Sequence, residues 1–173
     1  MNIIALTGNY GSGKNTCAGY IAEELGTEIY SFADPVKSYI ETVFKMPYEE
    51  FKASKFSDKL SGRDIVIAIA EFPKIGDKFY FAELMCNKLE CDQNDWAVIS
   101  DLRFFPEHEM LETMFKGQGD PVIVVEVETN NCGVIEGRDY LFPDKVICNV
   151  GSLKHLKAAC KSLCKELRSE LKL

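Results

Sequence analysis

The sequence is poor in arginine, histidine and tryptophan. Four arginines stand beside sixteen lysines, with two histidines and one tryptophan in 173 residues. No apolar run is long enough to span a bilayer, so no membrane partner is expected. Met1 leads straight into a strand-like segment, without the charged region and apolar stretch of a secretory leader, so a cytoplasmic protein is expected. The seven cysteines contain no Cys-x-x-Cys pair, which removes the usual spacing of zinc and dithiol redox sites. They read as reduced core or surface thiols, with Cys160 and Cys164 on one helical stripe. A net charge of -7 argues against a general nucleic-acid coating role, because phosphate backbones need a basic face. A small anionic ligand needs only a local positive pocket.

What is present is the make-up of an ordinary globular domain, with 46% hydrophobic and 27% charged residues. The length suits one domain, residues 1–173, and no repeat, low-complexity stretch or linker divides it. Strands are expected at Asn2–Leu6, Glu28–Phe32, Asp95–Ser100, Pro121–Val127 and Lys145–Cys148. A helix is expected over Lys14–Leu25, ending near Gly26. Asp34 can cap the next, with Pro35 at its first position and Val36, Tyr39, Ile40, Val43 and Phe44 on one face. Ser61-x-x-Asp64 has the form of a capping box, so Ile65–Ala70 is read as helix, although its β-branched residues suit a strand equally. Asp77 can cap a helix carrying Phe81, Leu84, Met85 and Leu89 inward. Pro106 opens another, with Met110, Leu111, Met114 and Phe115 inward. The last runs from about Leu153, with Leu156, Cys160, Leu163, Leu167 and Leu171 on its buried stripe.

This alternation predicts an α/β fold with a parallel sheet. The strands are apolar throughout, as expected when helices cover both faces. Ligands of such sheets bind at the carboxyl ends of the strands, here just after Leu6, Phe32 and Ser100.

The first of these places holds Gly8-Asn9-Tyr10-Gly11-Ser12-Gly13-Lys14-Asn15-Thr16. The spacing Gly8-x4-Gly13-Lys14 is the Walker A pattern. Its glycines let backbone N–H groups converge on phosphate oxygens, and the following helix presents its positive end to them. Lys14 adds a mobile charge for the β- and γ-phosphates of ATP. Asn15 stands where Ser or Thr usually ligates Mg²⁺, and Thr16 follows one residue later.

Arginine's planar fork suits phosphate, so its few positions are informative. Trp96-Ala-Val-Ile-Ser-Asp101-Leu-Arg103 ends a predicted strand. Asp101 is placed like a Walker B acid that holds Mg²⁺ through water, and Arg103 is placed to grip a phosphate. A strand-end salt bridge would explain the same pair without chemistry.

The sequence resembles the phage-type deoxynucleoside monophosphate kinases, P-loop enzymes related in fold to adenylate kinase. The likeness is carried by Leu6-Thr7-Gly8 through Thr16, Phe32-Ala-Asp-Pro-Val-Lys37, Gly62-Arg63, Asp77-x-Phe79-Tyr80, Ser100-Asp-Leu-Arg103 with Glu107-His-Glu-Met110, Glu136, Asp144 to Asn149, and Gly151-Ser-Leu153. The resemblance implies a five-stranded parallel sheet in the order 2-3-1-4-5, with helices on both faces. It implies an acceptor-binding segment at about 34–92 and a short lid at about 129–143. Asp34 and Lys37 would border the acceptor, Arg63 and Arg103 would hold its phosphate, and Arg138 would close from the lid. Asn149 and Gly151 would lie beside the adenine, and Tyr80 could stack on a base. Plain alternatives stay open: a helix cap for Asp34, a solvated charge for Lys37, Arg63 or Arg138, and a core aromatic for Tyr80.

Nucleotide monophosphate kinases often carry Gly-Lys-x-Thr, which accommodates Asn15. The implied reaction is ATP- and Mg²⁺-dependent phosphorylation of a (deoxy)nucleoside monophosphate in the cytoplasm, that of a host if the protein is phage-encoded. Small nucleotides are the expected partners, and both monomer and homodimer stay open. Other readings are a P-loop kinase for another small acceptor, of dephospho-CoA or phosphomevalonate type, and an ATP-binding regulator without turnover. The segment Met46–Lys59 leaves little room for a base-recognition insert, so the base is undetermined.

Overall fold

The computed structural model describes residues 1–129 and 141–171. Five strands form a parallel sheet: β1 (Asn2–Thr7), β2 (Ile29–Tyr30), β5 (Trp96–Ile99), β6 (Val122–Glu128) and β7 (Lys145–Cys148). A separate antiparallel hairpin holds β3 (Lys55–Ser57) and β4 (Leu60–Ser61). The sheet order is β2-β5-β1-β6-β7. Counted within the sheet alone this is 2-3-1-4-5, the order implied by the resemblance. Every pairing is parallel, with Ile4 of β1 level with Val98 and Ile123 on its neighbours.

The helices are α1 (Lys14–Leu25), α2 (Asp34–Phe44), α3 (Tyr48–Ala53), α4 (Gly62–Gly76), α5 (Tyr80–Glu90), α6 (Phe105–Met114) and α7 (Leu153–Glu170). Alternation of side chains along β1 divides the core. Ile4 and Leu6 pack with Cys17 and Ile21 of α1 and with Leu156, Cys160 and Leu163 of α7. Ile3 and Ala5 pack on the other face with Met85 and Leu89 of α5 and Leu111 of α6. These β1 side chains are fully buried. Each large one contributes on the order of 1.5–3 kcal/mol relative to exposure. A third cluster, Val36, Ile40, Phe51 and Phe81, joins α2, α3 and α5, with Ile65, Val66 and Ile69 of α4 against it.

The helical reading of Ile65–Ala70 is borne out. Asp64 N–H donates to the Ser61 hydroxyl at 3.3 Å and Ser61 N–H donates to the Asp64 carboxylate at 2.8 Å, so the box is closed. A Cβ on Gly62 would lie 1.8 Å from the Phe51 carbonyl oxygen, so only glycine lets α4 start against α3.

Several sequence expectations are corrected. β2 is shorter than Glu28–Phe32, because the amides of Phe32 and Ala33 turn away from the sheet to bond a carboxylate. Asp34 is the first residue of α2 and not its cap; its carboxylate reaches back to Ser31 N–H at 3.1 Å. Asp77 does not cap α5 directly: its Oδ1 accepts from Phe79 N–H at 2.8 Å, and Phe79 is the capping residue. On α2 only Val36 and Ile40 are buried, while Tyr39, Val43 and Phe44 face outward. Leu84 of α5 is likewise exposed.

Candidate active site

The loop between β1 and α1 turns at three glycines with positive φ: Gly8 at 139°, Gly11 at 77° and Gly13 at 95°. A Cβ on Gly8 would stand 2.4 Å from the Val127 carbonyl oxygen, and one on Gly13 would stand 2.5 Å from Asn149 Nδ2. The loop is therefore packed against β6 and the end of β7 with no room for side chains at these two points. No side chain caps α1. A helix start without a side-chain cap is the kind of place where backbone N–H groups bind anions. Lys14 Nζ donates to the carbonyls of Gly8 at 2.9 Å and Asn9 at 2.8 Å, bridging the loop's entry. The Ser12 hydroxyl is fully buried and has no hydrogen-bond partner among the described residues. An orphaned hydroxyl, a turn with no room for a Cβ at Gly8 and Gly13, and a lysine on the loop carbonyls together fit the polyphosphate of a nucleotide.

A cavity of about 330 Å³ adjoins this loop at the carboxyl ends of β2 and β5, two of the places expected from the sequence. Tyr10, Asp101 and Arg103 line it on the loop side, and Arg63, Ile67, Ala70 and Lys74 of α4 form a wall. Phe32, Val36, Phe81 and Phe104 make it apolar within. Arg63 and Arg103 are exposed to the cavity's solvent, and neither guanidinium has a hydrogen-bond or ion-pair partner among the described residues. Two unpaired forks beside an apolar slot suit a ligand with a phosphate at one end and a flat ring at the other.

Asp101 follows β5 and is held by the segment after β2. Its Oδ1 accepts from Phe32 N–H at 2.8 Å, and its Oδ2 accepts from the Ser31 hydroxyl at 2.7 Å and from Ala33 N–H at 3.3 Å. A hard cation prefers such an oxygen donor, and a carboxylate already taking three hydrogen bonds fits one held through water better than one bound directly. Asp34 and Lys37 lie behind this point and not on the cavity wall: Lys37 Nζ donates to Asp34 Oδ1 at 2.8 Å and to Ser31 Oγ at 3.2 Å.

Other sequence candidates are placed as follows. Asn149 donates from Nδ2 to the Ser12 carbonyl at 2.9 Å, so it fastens the phosphate loop itself. Gly151 is exposed before α7, where a Cβ would meet His155 Nδ1 at 2.8 Å. Asn15 is exposed and Thr16 half-buried on the first turn of α1. Tyr80 is not brought to the cavity; it lines a separate apolar groove with Tyr39, Ile69 and Phe72. Arg138, Glu136 and most of the segment at 129–143 lie outside the described residues.

Lys52, Lys74 and Glu107 are among the cavity residues not singled out in the sequence for chemistry. Lys74 stands 4.5 Å over the Phe104 ring and donates to Glu71 at 3.0 Å. A signal for it existed, because Arg63, Ile67, Ala70 and Lys74 repeat on one helical face. Glu107 is buried, and its Oε2 accepts from the N–H groups of Arg103 at 2.8 Å and Phe104 at 3.0 Å, so it caps α6 and fixes the Arg103 backbone. Burial lifts its carboxyl to about 7 from the ordinary 4.5, against the pull of those two N–H groups.

A family model described as deoxynucleotide monophosphate kinase matches residues 2–66, the span that holds β1, the phosphate loop, α2, α3 and Arg63. The chain resembles those kinases there. Solved structures extend the likeness in fold over the whole chain. An APS kinase of Mycobacterium tuberculosis aligns over 99% of this chain and 97% of its own, at 13% identity and a TM-score of 0.51. The same enzyme in complex with AMPPNP and APS aligns over 99% and 98%, at 10% identity and 0.53. A gluconokinase from Sinorhizobium meliloti 1021 aligns over 99% and 95%, at 12% identity and 0.55. The chain thus shares its fold with these kinases, as the sequence resemblance implied. No curated protein sequence matches the chain. Among the described residues no helix is long and apolar enough to cross a membrane.

Proposed function

We propose that the protein transfers the terminal phosphoryl group of ATP to a (deoxy)nucleoside monophosphate. The observation that carries this reading is the pair of unpartnered guanidiniums, Arg63 and Arg103, on an apolar cavity that opens beside the phosphate loop. The match of the deoxynucleotide monophosphate kinase model to residues 2–66 supports it.

In this reading the loop amides and Lys14 hold the donor polyphosphate, and Lys14 leaves its two carbonyl contacts for the transferring group. Arg103 and Arg63 hold the acceptor phosphate in line, and the walls formed by Phe32, Val36 and Phe104 take the base. The acceptor oxygen is already ionised near neutral pH, so no strong general base is needed. Mg²⁺, when bound, would neutralise charge on the phosphates, and Asp101 is the carboxylate placed to orient it. Arg138 would act from the lid.

The test is an ADP-release assay against all common nucleoside and deoxynucleoside monophosphates. APS, gluconate, dephospho-CoA and phosphomevalonate are included as rival acceptors. The expected result is turnover with at least one monophosphate and loss of at least about 100-fold in kcat for Lys14→Ala. Turnover only with a rival acceptor, or none with any, refutes the reading.

A further inference from the structure

Ser31 has no place in the mechanism above, yet its hydroxyl makes three hydrogen bonds beside the cavity. It is 5% exposed, in the turn between β2 and α2. Its Oγ accepts from Lys37 Nζ at 3.2 Å and from Ala33 N–H at 3.2 Å. A serine hydroxyl has two lone pairs and one proton. Lys37 Nζ and Ala33 N–H can only donate, so among the described residues the hydroxyl proton goes to Asp101 Oδ2 at 2.7 Å. Lys37 also donates to Asp34 Oδ1 at 2.8 Å, while Asp34 Oδ2 takes the Ser31 N–H at 3.1 Å. The direction of the Ser31 hydroxyl is therefore set by its surroundings.

This has a consequence for Asp101. A carboxylate offers about four lone-pair directions. Oδ2 takes the Ser31 hydroxyl and one branch of the Ala33 N–H, which is shared with Ser31 Oγ, and Phe32 N–H takes one direction of Oδ1 at 2.8 Å. One direction is left, on Oδ1.

We propose that Ser31 is the positioning residue of the site: by fixing Oδ2 it aims the remaining Oδ1 lone pair of Asp101 at the water shell of the nucleotide-bound cation. The inference rests on the phosphotransfer reading and on Asp101 serving Mg²⁺. It adds a named residue that links the acceptor-side helix α2, through Lys37 and Asp34, to the donor-side carboxylate. Acceptor binding against Phe32, Ala33 and Val36 would then be felt at the cation through one hydrogen bond.

The experiment is calorimetric titration of ATP with and without Mg²⁺ into the unaltered protein, Ser31→Ala, Asp101→Asn and the double variant. The ratio of the two affinities is the cation's contribution. Ser31→Ala should leave metal-free ATP affinity unchanged, which also reports an intact loop, and lower the cation's contribution by about 10-fold, the low end for residues that orient metal-site groups. In the Asp101→Asn background the same change should have no further effect, because Ser31 acts only through Asp101. Full retention of the cation's contribution in Ser31→Ala overturns the proposal. So does an additive effect in the double variant, or the absence of any contribution from Mg²⁺ in the unaltered protein. An unaltered protein that shows the contribution and the expected cycle, yet phosphorylates no monophosphate, supports the role of Ser31 and removes only the acceptor assignment.

Discussion

Glu107 ties the stability of the protein to pH, and replacing it with glutamine should expose that link. Glu107 is 7% exposed and lines the cavity beside the phosphate loop. Burial is the largest influence on its carboxyl, and the nearby charge of Asp101 pushes the same way; two backbone N–H donors oppose them, and the carboxyl ends at about 7. Below pH 4.5 both folded and unfolded chains keep the proton. Between 4.5 and about 7 the unfolded chain releases it while the folded chain holds it, so stability falls as pH rises through this window. Above it both forms are ionised and the loss is complete. At about 1.4 kcal/mol per pH unit the full loss is on the order of 3 kcal/mol. Glu107→Gln keeps a carbonyl oxygen for the Arg103 and Phe104 amides and has no proton to release. Urea unfolding near pH 8 should therefore show the variant more stable by up to about 3 kcal/mol, with the two proteins converging near pH 4.5. A stability difference that does not change with pH would falsify the assignment, as would a variant less stable at pH 8.

Three other substitutions test separate parts of the site. Gly8→Ala forces a Cβ to within 2.4 Å of the Val127 carbonyl oxygen at φ 139°, and should cost roughly 1–3 kcal/mol and abolish ATP binding, read by thermal melts with and without nucleotide. Asn149→Ala removes the bond to the Ser12 carbonyl and should lower stability by about 1 kcal/mol and weaken ATP binding, read by calorimetry. Tyr80→Ala should leave acceptor KM within about twofold, because the ring lies in a groove apart from the cavity; a larger change would place a base there after all.

The parts legible in the sequence were those set by near neighbours. The phosphate loop is contiguous and its glycines state their purpose by spacing. The Ser61–Asp64 box decided between helix and strand for Ile65–Ala70, because a closed cap outweighs a β-branched run whose side chains pack only on one face. The strand order followed from the family likeness and not from pattern alone. What escaped the sequence depended on distant partners. Nothing around Asp101 says that it will take the Ser31 hydroxyl and the Phe32 amide, about seventy residues earlier, and Asn149 finds Ser12 across the fold. Glu107 and Lys74 become cavity residues only when α6 and α4 are brought to the same slot.

The bond from Asn149 to the Ser12 carbonyl spans 137 residues. A growing chain therefore carries the sequence of its nucleotide loop from the outset but cannot hold its shape until β7 has been made and docked. β1, in the middle of the sheet, waits in the same way for β5 and β6. ATP would thus select chains whose sheet is already closed, acting as a late latch on folding and not as a template for it. Capture of ribosome-released fragments on immobilised ATP should begin only with lengths that include Asn149.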